Sequence, residues 1–144
     1  MENIFNNLIL ELHVPDFVKA RKFYSTFNFH QISYIPAGSE LGYMVLARID
    51  TIGKTCINFY GDNERVARHT HFADYPTGTP RGYAVEITIP VSNVEELWKL
   101  ANSVLDSSQI AQPLELKRWG KKDFRVVDPF GFYVRFTELV DWFN

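Results

Sequence analysis

The chain has 144 residues, of which 46% are apolar and 15% aromatic, with a formal net charge of −2. This length and apolar content predict one globular domain with a substantial core and exclude a disordered chain. Lys and Arg residues number 15 against 17 Asp and Glu, and they are scattered along the sequence, so no nucleic-acid partner is expected. The absence of a signal peptide, of a membrane-spanning apolar run and of any second cysteine beside Cys56 leads us to expect a cytoplasmic protein without a membrane partner.

The first half of the chain predicts a strand, a helix and further strands. Residues 9–14 alternate apolar side chains with Glu11 and His13, which is the period of a strand that packs one face on a core. Asp16 is predicted to cap a helix that ends near Asn28. The buried stripe of this helix is expected to be Ala20, Phe23, Tyr24 and Phe27. Two more strands are predicted at 42–50 and 54–60, with a loop at 36–39 and a hairpin turn at 51–53.

The second half repeats this order. Residues 85–91 alternate as a strand, and Asn93 with Glu96 is predicted to form a capping box. The helical stripe is expected to be Leu97, Leu100, Ala101 and Val104. Strands are predicted at 124–127 and 132–138, on either side of a tight turn at 128–131 that contains Pro and Gly. Residues 63–81, rich in His, Tyr, Pro, Thr and Gly, are predicted to be a loop over the surface or over a cavity mouth.

The two halves align at one offset of 77 positions, with no gap. Residues 9–16 fall on 86–93, the two helical stripes coincide, and residues 57–59 fall on 134–136. We therefore predict an α+β fold of two tandem βαβββ modules, at 8–62 and 82–140, joined by the loop 63–81. The two modules are expected to form a single domain over residues 1–144 with a pseudo-twofold axis.

Three segments carry a resemblance to a known superfamily. They are Val14-Pro15-Asp16 with Phe23-Tyr24, the segment Arg81-Gly82-Tyr83-Ala84-Val85-Glu86-Ile87, and the run from Trp119 to Gly131, WGKKDFRVVDPFG. In this order and spacing the chain resembles the vicinal oxygen chelate superfamily of glyoxalase I, bleomycin resistance proteins and extradiol dioxygenases. The resemblance implies curved sheets whose concave face binds a ligand, with the helices on the convex side.

The resemblance also implies four positions that hold a divalent metal in the metalloenzymes of this superfamily. In this sequence they are Ile9, Asn58, Glu86 and Arg135. Only Glu86 is a good metal donor, and Arg135 would place a permanent positive charge beside the cation. We therefore expect no metal cofactor, since a metal would need unexpected ligands in addition to Glu86.

The same face supplies the candidate site residues. Glu86 and Arg135 are predicted to be opposite charges in one cavity, where Arg135 either binds a carboxylate or phosphate of a ligand or is merely neutralised by Glu86. Glu11 and Glu86 are the candidates for a catalytic acid or base. The predicted ligand-binding residues are Glu11, Asn58, Tyr60, Glu86, Trp119, Phe124, Tyr133 and Arg135. His69 and His71 are expected to lie in a loop rather than in a metal site.

Three functional interpretations follow from these patterns. The favoured one is a metal-free protein of the bleomycin-resistance kind, which binds a small aromatic, cationic or carboxylate-bearing molecule in a cavity at a homodimer interface. The second is an enzyme, either a metal-dependent lyase, isomerase or dioxygenase, or one that uses Glu11 and Glu86 without metal. The third is a structural or regulatory module whose cavity is filled by its own side chains.

Overall fold

The computed structural model describes residues 8–64, 66, 71–72, 75–76 and 78–143. Module one contains the elements β1 (Leu10–Val14), α1 (Phe17–Ser25), β2 (His30–Ile35), β3 (Gly42–Asp50) and β4 (Gly53–Gly61). Module two contains β5 (Glu86–Pro90), α2 (Val94–Val104), β6 (Ile110–Leu116), β7 (Lys122–Val127) and β8 (Tyr133–Thr137). The predicted α+β fold of two βαβββ modules is confirmed.

Each module folds into a four-stranded mixed sheet. The strand orders are β1-β4-β3-β2 and β5-β8-β7-β6, so the first strand of each module lies at one end of its sheet and pairs with the last strand of that module. The pairs β1–β4 and β5–β8 are parallel, and the remaining neighbours are antiparallel. The bounds of β2 and β6 could not be predicted from the sequence pattern, because the six residues of β2 are all exposed and β6 contains a proline and two register irregularities.

The helices cover one face of the sheets and leave the other open. In β1 the side chains of Leu12 and Val14 are buried while Glu11 is exposed, as the alternation predicted. Burial of the apolar side of both sheets produces one continuous core that both modules share. No helix in the described part of the chain is long and apolar enough to cross a membrane.

The two helix caps differ from each other. Asp16 caps α1 as predicted, since its side chain accepts a hydrogen bond from the backbone N–H of Lys19 at 3.0 Å. The predicted capping box of α2 is wrong, because the side chain of Asn93 makes no cap hydrogen bond. Its Oδ1 instead accepts a hydrogen bond from Arg48 of module one at 3.1 Å. A contact between modules has taken the place of a local one.

The buried stripe of α2 is also shorter than predicted. Leu97 and Ala101 are buried, but Leu100 and Val104 are 47% and 61% exposed. Phe27, the equivalent of Val104, follows the end of α1 and packs on module two. Its ring stacks on that of Phe136 with the centroids 4.3 Å apart. The prediction failed because it assumed that the two helices have equivalent surroundings.

The offset of 77 does not hold for every strand. Phe59 in β4 and Phe136 in β8 are 77 positions apart, but their cross-strand partners Met44 and Phe124 are 80 positions apart. The gap-free alignment is therefore wrong for β7 by three residues. Side chains alternate between the two faces of a strand, and three is an odd number. A prediction from the single offset therefore assigns each residue of β7 to the wrong face of the sheet.

Two groups of polar contacts between the modules involve the buried side chains of Tyr24 and Arg48. The hydroxyl of Tyr24 in α1 donates to Oδ2 of Asp128 at 2.8 Å, in the turn that precedes β8. Burial, followed by the neighbouring Asp128, raises the pKa of Tyr24 well above its ordinary value, so that it remains a donor. In the second contact Arg48 binds Asp50, whose carboxylate also accepts the backbone N–H of Ser92.

We expect the Tyr24 hydroxyl to contribute measurably to stability. Tyr24→Phe leaves Oδ2 of Asp128 buried without this donor, which should lower the free energy of unfolding by about 1–3 kcal/mol. Urea denaturation followed by circular dichroism measures the loss. Tyr34→Phe is the matched control, because Tyr34 is 40% exposed. Equal losses in the two variants would show that the Tyr24–Asp128 bond is not stabilising.

Candidate functional site

The open face of module two presents a row of polar side chains across its four strands. Thr88 of β5 lies beside Arg135 of β8, which is directly opposite Arg125 of β7, which in turn pairs with Gln112 of β6. Two arginines thus face each other on adjacent strands, an arrangement that is unfavourable unless acidic groups compensate it.

Asp123 provides most of that compensation. Its side chain is wholly buried, and its Oδ2 accepts a hydrogen bond from Arg135 Nε at 2.9 Å. Its Oδ1 accepts from Gln112 Nε2 at 3.0 Å and lies 3.6 Å from Arg125 Nε. The carboxylate therefore holds both guanidinium groups on the sheet surface.

Glu86 is a more distant member of the same cluster. Its Oε1 lies 3.9 Å from both Arg135 Nε and Arg125 Nη1, and its side chain is 37% exposed. Glu86 and Arg135 are therefore neighbours, as the sequence predicted, but the closest partner of Arg135 is Asp123. Both Asp123 and Arg125 were missed, although an acid and a base two positions apart in a strand could have indicated them.

Arg125 is charged under all ordinary conditions. Burial alone would lower the pKa of its guanidinium, but the Tyr133 hydroxyl and the carboxylates of Glu86 and Asp123 raise that pKa above its usual value. Its Nε is buried and has no hydrogen-bond partner among the residues that the structure describes. Oδ1 of Asp123 lies 3.6 Å from this nitrogen, beyond hydrogen-bond distance.

Trp119 stands beside this cluster, in the turn between β6 and β7. The turn closes with a hydrogen bond from the backbone N–H of Gly120 to the carbonyl of Lys117, and Gly120 has a φ of 83° that favours glycine. The indole ring lies 5.4 Å from Arg135 Cζ, within cation–π distance. This stacking fixes the flat face of Arg135 against an aromatic surface.

An open groove of about 1120 Å³ runs along this face. Trp119 and Arg135 line it, together with Thr88 of β5, Lys121 and Trp142, which lies near the C-terminus. Glu138 and Asp141 line it as well, so the groove combines aromatic surface with charges of both signs. Arg125 and Glu86 lie on the same face but are not among its lining residues.

The open face of module one carries a second polar cluster. The Tyr43 hydroxyl donates to Glu11 Oε1 at 2.7 Å and accepts a hydrogen bond from Asn58 Nδ2 at 2.8 Å. His13 Nε2 lies 2.9 Å from Glu11 Oε2, and the His13 ring packs against Tyr60. The structure thus brings together the predicted residues Glu11, Asn58 and Tyr60, but none of these three lines the groove of module two.

One predicted ligand-binding residue is in the wrong place. Phe124 is fully buried on the helix side of the sheet, between Phe136, Trp98 and Phe27. The three-residue slip of β7 explains the error, because the offset of 77 equates Phe124 with Ala47 on the open face of β3. The other predicted residues of module two, Glu86, Trp119, Tyr133 and Arg135, are at least partly exposed.

The four positions that would hold a metal in related enzymes do not fit one here. Ile9 is an exposed apolar residue that precedes β1, and Asn58 is bonded to Tyr43. Arg135 is bonded to Asp123, so its cationic fork lies where a ligand atom would be required. Within the described part of the chain no three His, Cys, Asp or Glu side chains are grouped as a metal site. His69 lies outside the described residues.

We expect the two acids of module two to differ strongly in their effect on stability. Asp123→Asn removes a buried charge beneath two guanidinium groups and should lower the free energy of unfolding by about 3–5 kcal/mol. Glu86→Gln changes a partly exposed ion pair at 3.9 Å and should cost less than about 1 kcal/mol. Urea unfolding of both variants gives the comparison. A cost for Glu86→Gln that equals that of Asp123→Asn would contradict this ranking.

Solved structures of known proteins share this architecture along nearly the whole chain. TioX from Micromonospora sp. ML1 has a TM-score of 0.62 and 22% identity, and the alignment covers 94% of this chain and 100% of that chain. A bleomycin resistance determinant encoded on the transposon Tn5 has a TM-score of 0.63 and 18% identity, with 93% and 98% covered. A bleomycin-binding protein, solved in complex with bleomycin, has a TM-score of 0.59 and 18% identity, with 94% and 100% covered.

A further similar structure is described by its superfamily. It is a member of the glyoxalase/bleomycin resistance protein/dioxygenase superfamily from Sphaerobacter thermophilus DSM 20745, with a TM-score of 0.61, 16% identity, and 93% of this chain and 98% of that chain covered. No protein-family profile and no curated protein matches the sequence. The predicted resemblance is nevertheless confirmed at the level of structure: the chain has the fold of the glyoxalase/bleomycin resistance/dioxygenase superfamily, also called the vicinal oxygen chelate fold.

Proposed function

We propose that this protein binds a small, planar organic molecule with a carboxylate or phosphate group on the open face of module two, beside Trp119 and Arg135, which line the groove. The observation that carries the proposal is the opposed pair Arg125 and Arg135, anchored by buried Asp123 and placed beside the exposed ring of Trp119. In this proposal the anionic group of the ligand binds the guanidinium groups and the planar part stacks on the indole.

Two guanidinium groups meet two carboxylates in this cluster, and the contacts of Glu86 are longer than the bond between Asp123 and Arg135. Asp123 is bonded to Arg135 from within the sheet, so the outer surface of the guanidinium pair is left to Glu86. Glu86 lies 3.9 Å from each arginine, beyond hydrogen-bond distance, and is partly exposed. A ligand oxyanion that approached to about 2.8 Å would gain the charge-assisted hydrogen bonds that Glu86 does not make.

The aromatic walls of the groove suit a planar ligand. The rings of Trp119 and Trp142 are 46% and 87% exposed, and both line the groove. Large exposed aromatic surfaces next to a few polar groups are typical of small-molecule sites. The complex of the bleomycin-binding protein, which has the same fold, also supports a small-molecule ligand for this chain.

The proposal includes a metal-free site and a homodimer. The donor chemistry of Ile9, Asn58 and Arg135 argues against metal. In the part of the chain that the structure describes, a helix covers one face of each sheet, and module two leaves Trp119, Trp142 and Leu139 exposed. A second copy of the chain that packs on these surfaces would bury them and close the open groove.

Ligand binding can be tested with 2-naphthoate as the probe and isothermal titration calorimetry as the measurement. Trp119→Ala should weaken binding about tenfold, since it removes the stacking surface. Glu86→Gln should instead strengthen binding several-fold, because it removes a carboxylate that competes with the ligand. Neither change touches the bond between Asp123 and Arg135. Glu40→Gln, at an exposed loop position, is the control that should leave the affinity unchanged.

Two results of this titration would overturn the proposal. One is an affinity that neither Trp119→Ala nor Glu86→Gln alters, and the other is equal binding of the uncharged 2-naphthamide. The first would place the ligand elsewhere, and the second would remove the role of the arginine pair.

Sedimentation and elemental analysis test the remaining parts. Sedimentation at micromolar concentration should give the mass of a dimer. Elemental analysis should give less than about a tenth of an equivalent of zinc, nickel, manganese or iron, because the site has too few donors for a metal. A monomeric mass would contradict the homodimer. One tightly bound metal that is lost in Glu86→Gln would instead revive the metalloenzyme interpretation.

A further inference from the structure

We propose that the groove beside Arg135 selects anionic amphiphiles, which carry an apolar tail behind a charged planar head, and that Ile52 of module one determines the length of tail that binds. This inference rests on the proposed function and names its class of ligand more closely. Both modules build the groove, since Ile52 in the turn between β3 and β4 lines it together with strands of module two.

The groove follows the direction of β5 and β8. Thr88 pairs with Arg135 at one level of the sheet, and Pro90 pairs with Thr137 two residues further on. All four residues line the groove. Two residues of a strand span about 7 Å, so the part of the groove beyond Pro90 begins at about that distance from the level of Arg135.

The far end of the groove has a large apolar surface. Its apolar lining residues beyond the strand ends are Val91, Leu139, Val140 and Trp142, and Ile52 joins them from module one. Ile52, Leu139 and Trp142 are 40%, 46% and 87% exposed, so the core does not use this surface. An apolar segment of a ligand would gain free energy by removing it from water. The volume of about 1120 Å³ leaves room for such a segment beside an aromatic ring.

One carboxylate fixes both walls of this far end. Oδ1 of Asp50 accepts the backbone N–H of Ile52 at 2.7 Å, and Oδ2 accepts that of Ser92 at 3.0 Å. Ile52 belongs to module one and Ser92 to module two, and both line the groove. Burial alone would raise the pKa of Asp50, but the hydrogen bonds from Arg48, Ile52 and Ser92 hold that pKa below its ordinary value. The carboxylate is therefore ionised at neutral pH, and the walls are in place before a tail binds.

The charged groups place the head of the ligand at the other end. Glu138 and Asp141 line the groove together with Arg135 and Lys121, but each of these two carboxylates accepts a backbone N–H group, at 2.6 and 2.9 Å. The hydrogen bond of Arg135 to Asp123 uses Nε and leaves the two terminal nitrogens of the guanidinium for the oxyanion of a ligand. A head bound at Arg135 directs its tail along the strands toward Ile52.

The test is a titration of the full-length protein by isothermal calorimetry with 4-ethylbenzoate, 4-butylbenzoate and 4-hexylbenzoate. We expect the affinity to rise about twofold for each added methylene, which is less than the roughly fourfold gain of a fully buried methylene. Ile52→Ala should weaken the binding of 4-hexylbenzoate about fivefold and leave that of 4-ethylbenzoate unchanged. Trp119→Ala should instead weaken the binding of each acid by the same factor, because it removes the surface on which the ring stacks.

Ile49→Ala is the matched control and should change no affinity. Ile49 belongs to the same hairpin and is 72% exposed, but it is not among the residues that line the groove. The inference is overturned if the affinity does not depend on tail length, or if Ile52→Ala binds 4-hexylbenzoate as well as the unmodified chain does. Failure of every acid to bind would contradict the proposed function itself, and this inference with it.

Discussion

The carboxylate of Asp128 connects the local folding of module two with the docking of module one. Oδ1 accepts the backbone N–H groups of Phe130 and Phe132 and so forms the turn that begins β8, while Oδ2 accepts the Tyr24 hydroxyl from α1. Burial raises the pKa of Asp128 although these hydrogen bonds oppose the shift. The turn sets the register of β8, and with it the position of Arg135 opposite Arg125.

The location of both polar clusters follows from the way the core is closed. Once α1 and α2 cover the apolar faces, the described part of the chain has no further α-helix with which to cover the opposite faces. The side chains that alternate with the core residues are therefore left at least partly open in both sheets. Such a face can be polar without the desolvation cost of an interior, which explains how two arginines can stand on adjacent strands. Asp123, beneath them, is fully buried, and it is paired.

The sequence predicted the architecture well, because hydrophobic alternation and helical stripes depend on burial that both modules share. It failed where contacts between modules decided the outcome. Asn93 was predicted to cap α2, but its side chain binds Arg48 of module one instead. Val104 was predicted to be buried like Phe27, but Phe27 packs on the other module and Val104 is exposed. The assumption of a gap-free repeat had the largest effect on the site. The single offset assigns Phe124 to the open face of β7 and Asp123 to its core face. Both assignments are reversed, because a shift by an odd number of residues moves every side chain of a strand to the other face.

The contact from α1 to module two exists in one direction only. Tyr24 and Phe27 reach across, whereas the equivalent residues of α2 are Ala101, which is small, and Val104, which is exposed. If the chain arose by duplication of a half-length gene whose product paired with itself, that ancestor would have made this contact twice. The present halves have become complementary and can no longer be exchanged. A tandem of two identical halves would therefore not rebuild this molecule.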